Sequence, residues 1–383
     1  MKGFKNVLAL INKEIIKCDI AIDNGKIVNI GNNLDIDEVY PYSEGDVVVP
    51  GFIDEHIHGA NGSDAMDGSV QALSTIANAI AKEGTTAFLA TTMTQSPENI
   101  TKALSAVKDY MAVPHSDGAE ILGVHLEGPF ISEKHIGAQP LKYLSDPKPE
   151  VFDNYFTASG NNIKIVTLAP EELGANNLIS DLVSKGVHPS AGHTDAGYSD
   201  IMSAKENGLD AITHTYNAQR GLHHREIGVV GSALLDDGLY AEAICDLIHL
   251  SAPAVKLLIK CKPKDRLILI TDSMRAKYLP DGISELGGQQ VFVKGGEARL
   301  ANGALAGSIL KMNDAVKNLV LKLGVPFIDA VGYATENPAK HIGVFNKKGS
   351  IEAGKDADFC VLDSEINVSM TVRAGNIIFQ NKD

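Results

Sequence analysis

The sequence predicts an α/β protein, a (β/α)8 barrel carrying a small β-sandwich built from both chain ends. Three observations predict it. Short apolar runs alternate with helical stretches through the middle of the 383-residue chain, as parallel strands joined by crossover helices do. The two ends read instead as strands and tight turns. Acids and imidazoles close several of the apolar runs, the placement that a barrel mouth gives to residues just past its strands.

Taken in order, residues 6–11, 15–22 and 26–30 are strand-like. Asn24-Gly25 between the last two signals a hairpin, because both residues tolerate positive φ. Residues 357–362, 368–373 and 377–380 read the same way, with Ala374-Gly375-Asn376 as a turn. Pairing of the two ends sets divisions at 1–50, 51–343 and 344–383. Barrel strands are expected at 47–53, 86–91, 121–126, 163–168, 186–191, 211–213, 240–244 and 267–271. Helices are expected at 70–82, 97–111, 173–184, 199–207 and 253–259. A doubly wound open sheet is the alternative, but no G-x-G-x-x-G follows the first strand. The Gly-rich stretch 281–307 reads as a long hairpin loop after the eighth strand, where loops shape a barrel's site.

Composition narrows the function. Hydrophobic residues make up 44% of the chain, and the formal net charge is −14. That charge repels nucleic acid and anionic membrane as general partners. Cys18, Cys245, Cys261 and Cys360 are far apart and form no C-x-x-C pair, which fits reduced thiols. Lys13, Glu14 and Lys17 interrupt the apolar N-terminal stretch, so no signal peptide is expected. No apolar segment is long enough to span a bilayer, and a cytoplasmic protein is expected.

The strand-end residues carry the chemistry. His56 and His58 are two apart on an extended segment, so both imidazoles point to one side. Glu127 follows the third strand, His193 the fifth, His214 the sixth and Asp272 the eighth. Neutral imidazole and carboxylate suit a divalent metal ion, zinc or iron first, with manganese and cobalt also compatible. His115, His135, His188, His223 and His341 lack this placement and are assigned to structure or surface. Residues 220–226 form a cationic cluster on an acidic protein. Arg225 there suits a phosphate, because its planar fork can make two parallel hydrogen bonds.

Five motifs together resemble the amidohydrolase superfamily. They are Pro50-Gly51-Phe52-Ile53-Asp54 with His56 and His58, His125-Leu126-Glu127-Gly128-Pro129-Phe130, Gly192-His193-Thr194-Asp195, His214-Thr215-Tyr216-Asn217-Ala218, and Thr271-Asp272-Ser273-Met274. Glu127, where many superfamily members place a carboxylated lysine, makes the chain resemble most the deacetylases of N-acetylglucosamine 6-phosphate. The resemblance implies hydrolysis of that sugar phosphate to D-glucosamine 6-phosphate and acetate, in amino-sugar catabolism and cell-wall recycling. It implies that Glu127, His193 and His214 hold the main ion. His56 and His58 would add a second, with Glu127 bridging, giving one or two ions per subunit. The metal would polarise the acetamide carbonyl and activate water. Asp272 would act as general base and then as general acid to the leaving amine. His249 would orient the carbonyl and touch the substrate.

The same resemblance assigns the substrate contacts. Ala138 and Gln139 would contact the sugar, and Leu305, Ala306 and Gly307 would close over sugar and acetyl group. Asn217, Ala218, His224 and Arg225 would lie at the phosphate. Arg225 would reach the neighbouring site of a homodimer. Tyr216, Gln219, Ile227, Leu247 and Ser273 depart from the family pattern and leave the galactosamine epimer as an alternative substrate. A non-catalytic scaffold would have lost a ligand or Asp272, and both are present.

Overall fold

The computed structural model describes residues 1–381. Eight parallel strands run β1 (Phe52–Ile57), β2 (Thr85–Thr92), β3 (Glu120–Glu127), β4 (Ile163–Leu168), β5 (His188–Ala191), β6 (Ala211–Ile212), β7 (Tyr240–Ile244) and β8 (Leu267–Ile270). They pair in sequence order. No strand ladder joins β8 to β1 among the described residues. Side chains close that seam. The Asp54 carboxylate accepts from the Thr271 hydroxyl at 2.5 Å and from the Thr271 N–H at 3.3 Å. Just beyond, the Asp272 N–H donates to the His56 carbonyl at 2.8 Å.

The strand expected at 47–53 is two strands. Val47–Pro50 pairs with Lys2–Ile11 and Phe359–Leu362 in the terminal sheet, and β1 begins only at Phe52. Gly51 is the elbow, and a Cβ there would overlap the Thr86 side chain. The break is silent in the apolar pattern because both segments are buried. β1 also runs on past Ile53, and its register slips between Asp54 and Ile57 against β2. A bulge of this kind re-aims side chains, often beside active sites.

Both chain ends share one eight-stranded sheet. It curls so that the turn at Asn24-Gly25 packs on the turn at Ala374-Gly375. The two layers enclose Phe4, Ile20, Ile27, Val48, Phe359 and Val372. Each turn has two residues at positive φ, 48° and 76° in the first and 46° and 71° in the second, as a tight hairpin requires.

Local signals explain the outer helices. In Pro97–Met111, the Ser96 hydroxyl caps the Asn99 N–H, Pro97 starts the first turn, and Ile100, Ala103, Leu104 and Val107 form the buried face. Val70–Ile80, Ala175–Ser184, Tyr198–Glu206 and Ala252–Cys261 also lie within a few residues of expectation. Pro149–Ala158, Gly228–Leu235, Met312–Lys317, Phe327–Ala334 and Glu336–His341 were not anticipated. Gly228–Leu235 is apolar and buried along most of its length, so no face stands out. Glu336–His341 is a short helix at the barrel floor, where Ala339 and Ile342 pack on Ile53, Ala87, Leu89 and Ile165.

The expected hairpin loop at 281–307 is a three-stranded flap, Gly282–Leu286, Gln289–Lys294 and Glu297–Leu300. Leu286, Val291 and Val293 pack with Met93, Ala138 and Met274, which fixes the flap over the barrel mouth. No helix among the described residues is long and apolar enough to cross a membrane.

A fully buried ion pair ties the segment after β8 to the start of β2. Lys277 Nζ lies 2.8 Å from Glu83, and the Tyr278 hydroxyl donates to the same carboxylate at 3.2 Å. Lys277→Met would strand a buried carboxylate and should cost about 3–5 kcal/mol in urea unfolding. The double variant Lys277→Met with Glu83→Leu should lose clearly less. Equal losses would show that the pair's charges do not govern this contact.

Candidate metal centre

The five predicted ligands and Asp272 converge at the C-terminal ends of the strands. Glu127 ends β3. His193 Nε2 and His214 Nε2 both lie 3.1 Å from its Oε1, and 3.2 Å from each other. His58 Nε2 is 3.3 Å from the other Glu127 oxygen and 3.1 Å from Asp272 Oδ1. His56 Nε2 is 3.6 Å from Glu127 and 3.7 Å from Asp272. All six side chains are buried.

Backbone strain aims three of them. His193, His214 and Asp272 follow β5, β6 and β8 at φ of 48°, 28° and 48°. Left-handed backbone is disfavoured for residues with a side chain, at about 1–3 kcal/mol each. Here it turns the chain sharply out of the strand and points each side chain across the mouth.

Hydrogen bonds behind the ligands fix the imidazole tautomers. His193 Nδ1 faces the His135 carbonyl at 2.9 Å, and His58 Nδ1 faces the Thr91 carbonyl at 3.3 Å. A carbonyl only accepts, so both Nδ1 atoms carry protons. Glu242 Oε2 accepts the His214 N–H and lies 3.0 Å from His56 Nδ1, which is therefore also the donor. Three Nε2 lone pairs consequently face the carboxylates of Glu127 and Asp272. Lone pair against carboxylate is repulsive unless a cation lies between them.

The electrostatics show the same demand for positive charge. Burial opposes ionisation of Glu127, but the imidazoles of His193, His214 and His58 gathered at its oxygens outweigh it and hold the carboxyl well below its usual range. Burial pushes His214 down as well, yet Glu127 holds it up at about 9. Burial wins at His56, which falls to about 4. These donors fit a divalent ion, which would take the place of protons drawn in by the carboxylates. Glu127, His193 and His214 form one compact donor group, and His56, His58 and Asp272 a second beside it.

The other expected residues divide. Ala138, Gln139, Asn217, Ala218, His249, Leu305 and Gly307 line one cavity of about 450 Å³ with the candidate metal-binding side chains. Gln139 Nε2 donates to Glu127 at 2.8 Å, and its Oε1 accepts from the Thr94 N–H at 2.7 Å. His249 is held through Nδ1 by Asp246 at 2.7 Å. Ala306 lies buried among the flap residues. Its N–H donates to Ala298 at 3.0 Å, and it does not line the cavity. His224 and Arg225 stand on an exposed loop outside the cavity, bonded to each other at 2.7 Å. Arg220, from the same cationic cluster, is taken up by a two-pronged pair with Asp195 at 2.9 and 2.7 Å.

Sequence reasoning missed Glu242, the support for both His56 and His214. Its signal was an acid in the middle of the apolar strand β7. It also missed Lys134 and His135, which line the cavity from the loop after β3. A larger cleft of about 570 Å³, near Leu10, Pro50, Tyr333 and Phe345, contains no such donor group among the described residues.

A parallel barrel with imidazoles and a carboxylate at its strand ends defines a metal-dependent hydrolase class. The profile of the amidohydrolase family matches residues 47–378, and the chain belongs to this family. It is 42% identical to the N-acetylglucosamine-6-phosphate deacetylase of Bacillus subtilis (strain 168), over 99% of this chain and 97% of that one. It is 36% identical to an N-acetylgalactosamine-6-phosphate deacetylase of Escherichia coli O157:H7, over 85% of this chain and 86% of the other. A mutant of the Mycobacterium smegmatis N-acetyl-D-glucosamine-6-phosphate deacetylase has been solved in complex with N-acetyl-D-glucosamine-6-phosphate. It matches with a TM-score of 0.91 at 28% identity, over 99% of both chains.

Gly192 tests the rigidity of the centre. A Cβ there would meet Thr167 Cγ2 and Thr213 Cβ at 2.7 Å. Gly192→Ala should displace His193 and weaken metal binding about 10–100-fold, as loss of a ligand's support does. Equilibrium dialysis against Zn²⁺ checks this, and unchanged affinity would show that the strand end can absorb a methyl group.

Proposed function

We propose that this chain hydrolyses the acetamide of N-acetyl-D-glucosamine 6-phosphate, giving D-glucosamine 6-phosphate and acetate. The observation that carries this reading is Glu127 at the end of β3, bound by His193 and His214 and facing Asp272 in one cavity. The names of the similar deacetylases supply the substrate class.

Glu127, His193 and His214 would hold one divalent ion, with zinc or iron the best match to the donors. His56 and His58 offer a second position. The bound metal supplies Lewis acidity and lowers the pKa of water to about 7. Asp272, 3.1 Å from His58 Nε2, is placed to take a proton from the nucleophile and pass it to the departing amine. Asp246 locks the His249 ring, so His249 reaches the cavity in one orientation and can orient the carbonyl. Gln139 holds Glu127 from the sugar side of the cavity. The packed flap limits solvent entry to the mouth.

Arg225 and His224 would meet the phosphate of a neighbouring subunit's substrate, in a homodimer. What supports this is that Arg225 is exposed and has no acidic partner among the described residues. Four free cysteines among the described residues support a cytoplasmic setting. The 36% identity to a galactosamine-type relative keeps N-acetylgalactosamine 6-phosphate as a second reading.

Acetate release should be fastest with N-acetylglucosamine 6-phosphate in an assay across the 6-phosphates of N-acetylglucosamine, N-acetylgalactosamine and N-acetylmannosamine. Chelation should abolish it, and full turnover by metal-free protein would overturn the proposal. Asp272→Asn should keep bound metal and lose about 10²–10⁴ in kcat. Arg225→Ala should raise KM for the phosphorylated sugar far more than for the unphosphorylated one. Mixed with Asp272→Asn, it should regain activity through hybrid dimers. No regain on mixing would place Arg225 outside a shared site.

A further inference from the structure

We propose that the barrel floor is a second divalent-metal site, separate from the mouth, with His188, Asp210 and His341 as ligands. Glu55 would stand behind His341 as its supporting carboxylate. The donor set repeats that of the mouth, two imidazoles and one carboxylate.

The sites share strands. His188 opens β5, whose far end leads to His193. Asp210 immediately precedes β6, whose far end leads to His214. Glu55 and His56 are consecutive on β1, one serving each end. Five residues of extended chain separate His188 from His193, about 16 Å at 3.3 Å per residue. One ion cannot satisfy both groups.

The geometry is that of ligands already gathered. His188 Nδ1 lies 2.6 Å from Asp210 Oδ2, and His341 Nε2 lies 3.6 Å from Asp210 Oδ1. Neither His341 Nε2 nor Asp210 Oδ1 has a hydrogen-bond partner among the described residues, although both are buried atoms. His341 is 2% exposed, so water does not satisfy that nitrogen freely. Its other nitrogen lies 2.9 Å from Glu55 Oε1. That is the carboxylate–imidazole–metal arrangement that sets a ligand's tautomer and raises its basicity, and Glu242 stands in the same relation to His56. The His341 ring also packs on the Tyr240 ring at 4.7 Å, with the Arg266 guanidinium over the same tyrosine. This stacking limits how far the imidazole can turn.

His188 and Asp210 are about one-third exposed, which leaves an entry path and room for a water ligand. Two nitrogens, a carboxylate and water suit zinc, cobalt or nickel and disfavour magnesium or calcium. His341 ends the helix Glu336–His341. A metal here would therefore clamp the last helix of the barrel to the starts of β5 and β6. The competing occupant is a proton, which would leave His341 as an imidazolium between Glu55 and Asp210.

Cobalt distinguishes the two. The full-length protein, stripped by chelation, is dialysed against Co²⁺, and bound metal is counted and its visible absorption recorded. Wild type should bind one more equivalent per chain than His188→Ala, with loss of one component of the absorption. Asp210→Asn should lose the same component. Co²⁺ should raise Tm more in wild type than in His188→Ala. Glu127→Gln should retain the floor component while losing signal from the mouth. Equal stoichiometry and identical spectra for wild type and both floor variants would overturn the proposal. So would a Glu127→Gln protein that binds no Co²⁺ while remaining folded by circular dichroism.

Discussion

The structure turns on two buried carboxylates, Glu127 and Asp272, faced by imidazole lone pairs. Among the described residues, nothing neutralises that arrangement except protons drawn onto His58 and His214. A buried charge without a partner is costly. The donor set at the mouth therefore suits a cation, and its surroundings can be read as devices that keep the donors from relaxing away from one another.

Those devices reach deep into the barrel. Thr91 and His135 carbonyls and the Glu242 carboxylate each hold one imidazole by the nitrogen that faces away from the centre. Below them, Ser190 donates to Thr213, Thr213 to Thr167, and Thr167 to His125 Nε2, since His125 Nδ1 is spent on the Glu55 carbonyl. Every donor in this chain has one available direction, so a polar barrel interior becomes a single ordered network. Gly192 passes between two of these threonines because it has no Cβ. The left-handed backbone at His193, His214 and Asp272 is held by the same neighbours, so the strain is confined to the residues that use it.

Much of this is legible in the sequence. Strand alternation gave the barrel, and Asn24-Gly25 and Ala374-Gly375 gave the hairpins of the terminal sheet. Strand-end placement picked out His56, His58, Glu127, His193, His214 and Asp272, because side chains just past parallel strands share one mouth. Other features were hidden for physical reasons. Gly51 divides two apolar segments whose burial looks the same in sequence. Gly228–Leu235 lacks a polar face, so helical periodicity had nothing to register. Glu242 sits inside a strand, and its role depends on β6 and β1 rather than on its own neighbours. Arg225 suits a phosphate by type, yet its own chain places it on an exposed loop away from the cavity.

By itself, the sequence determined residue chemistry and local conformation: which donors exist, which strand each one closes, and where turns need positive φ. These follow from side-chain type and from spacing along a few residues. Tertiary structure decided which donors meet. Only the curved strand order brings Glu127 against His193 and His214, and only the assembled barrel sets Glu55 against His341 while His56 faces Glu242. Such contacts join residues far apart in the chain. They are set by the register and curvature of the whole barrel, which no local segment encodes.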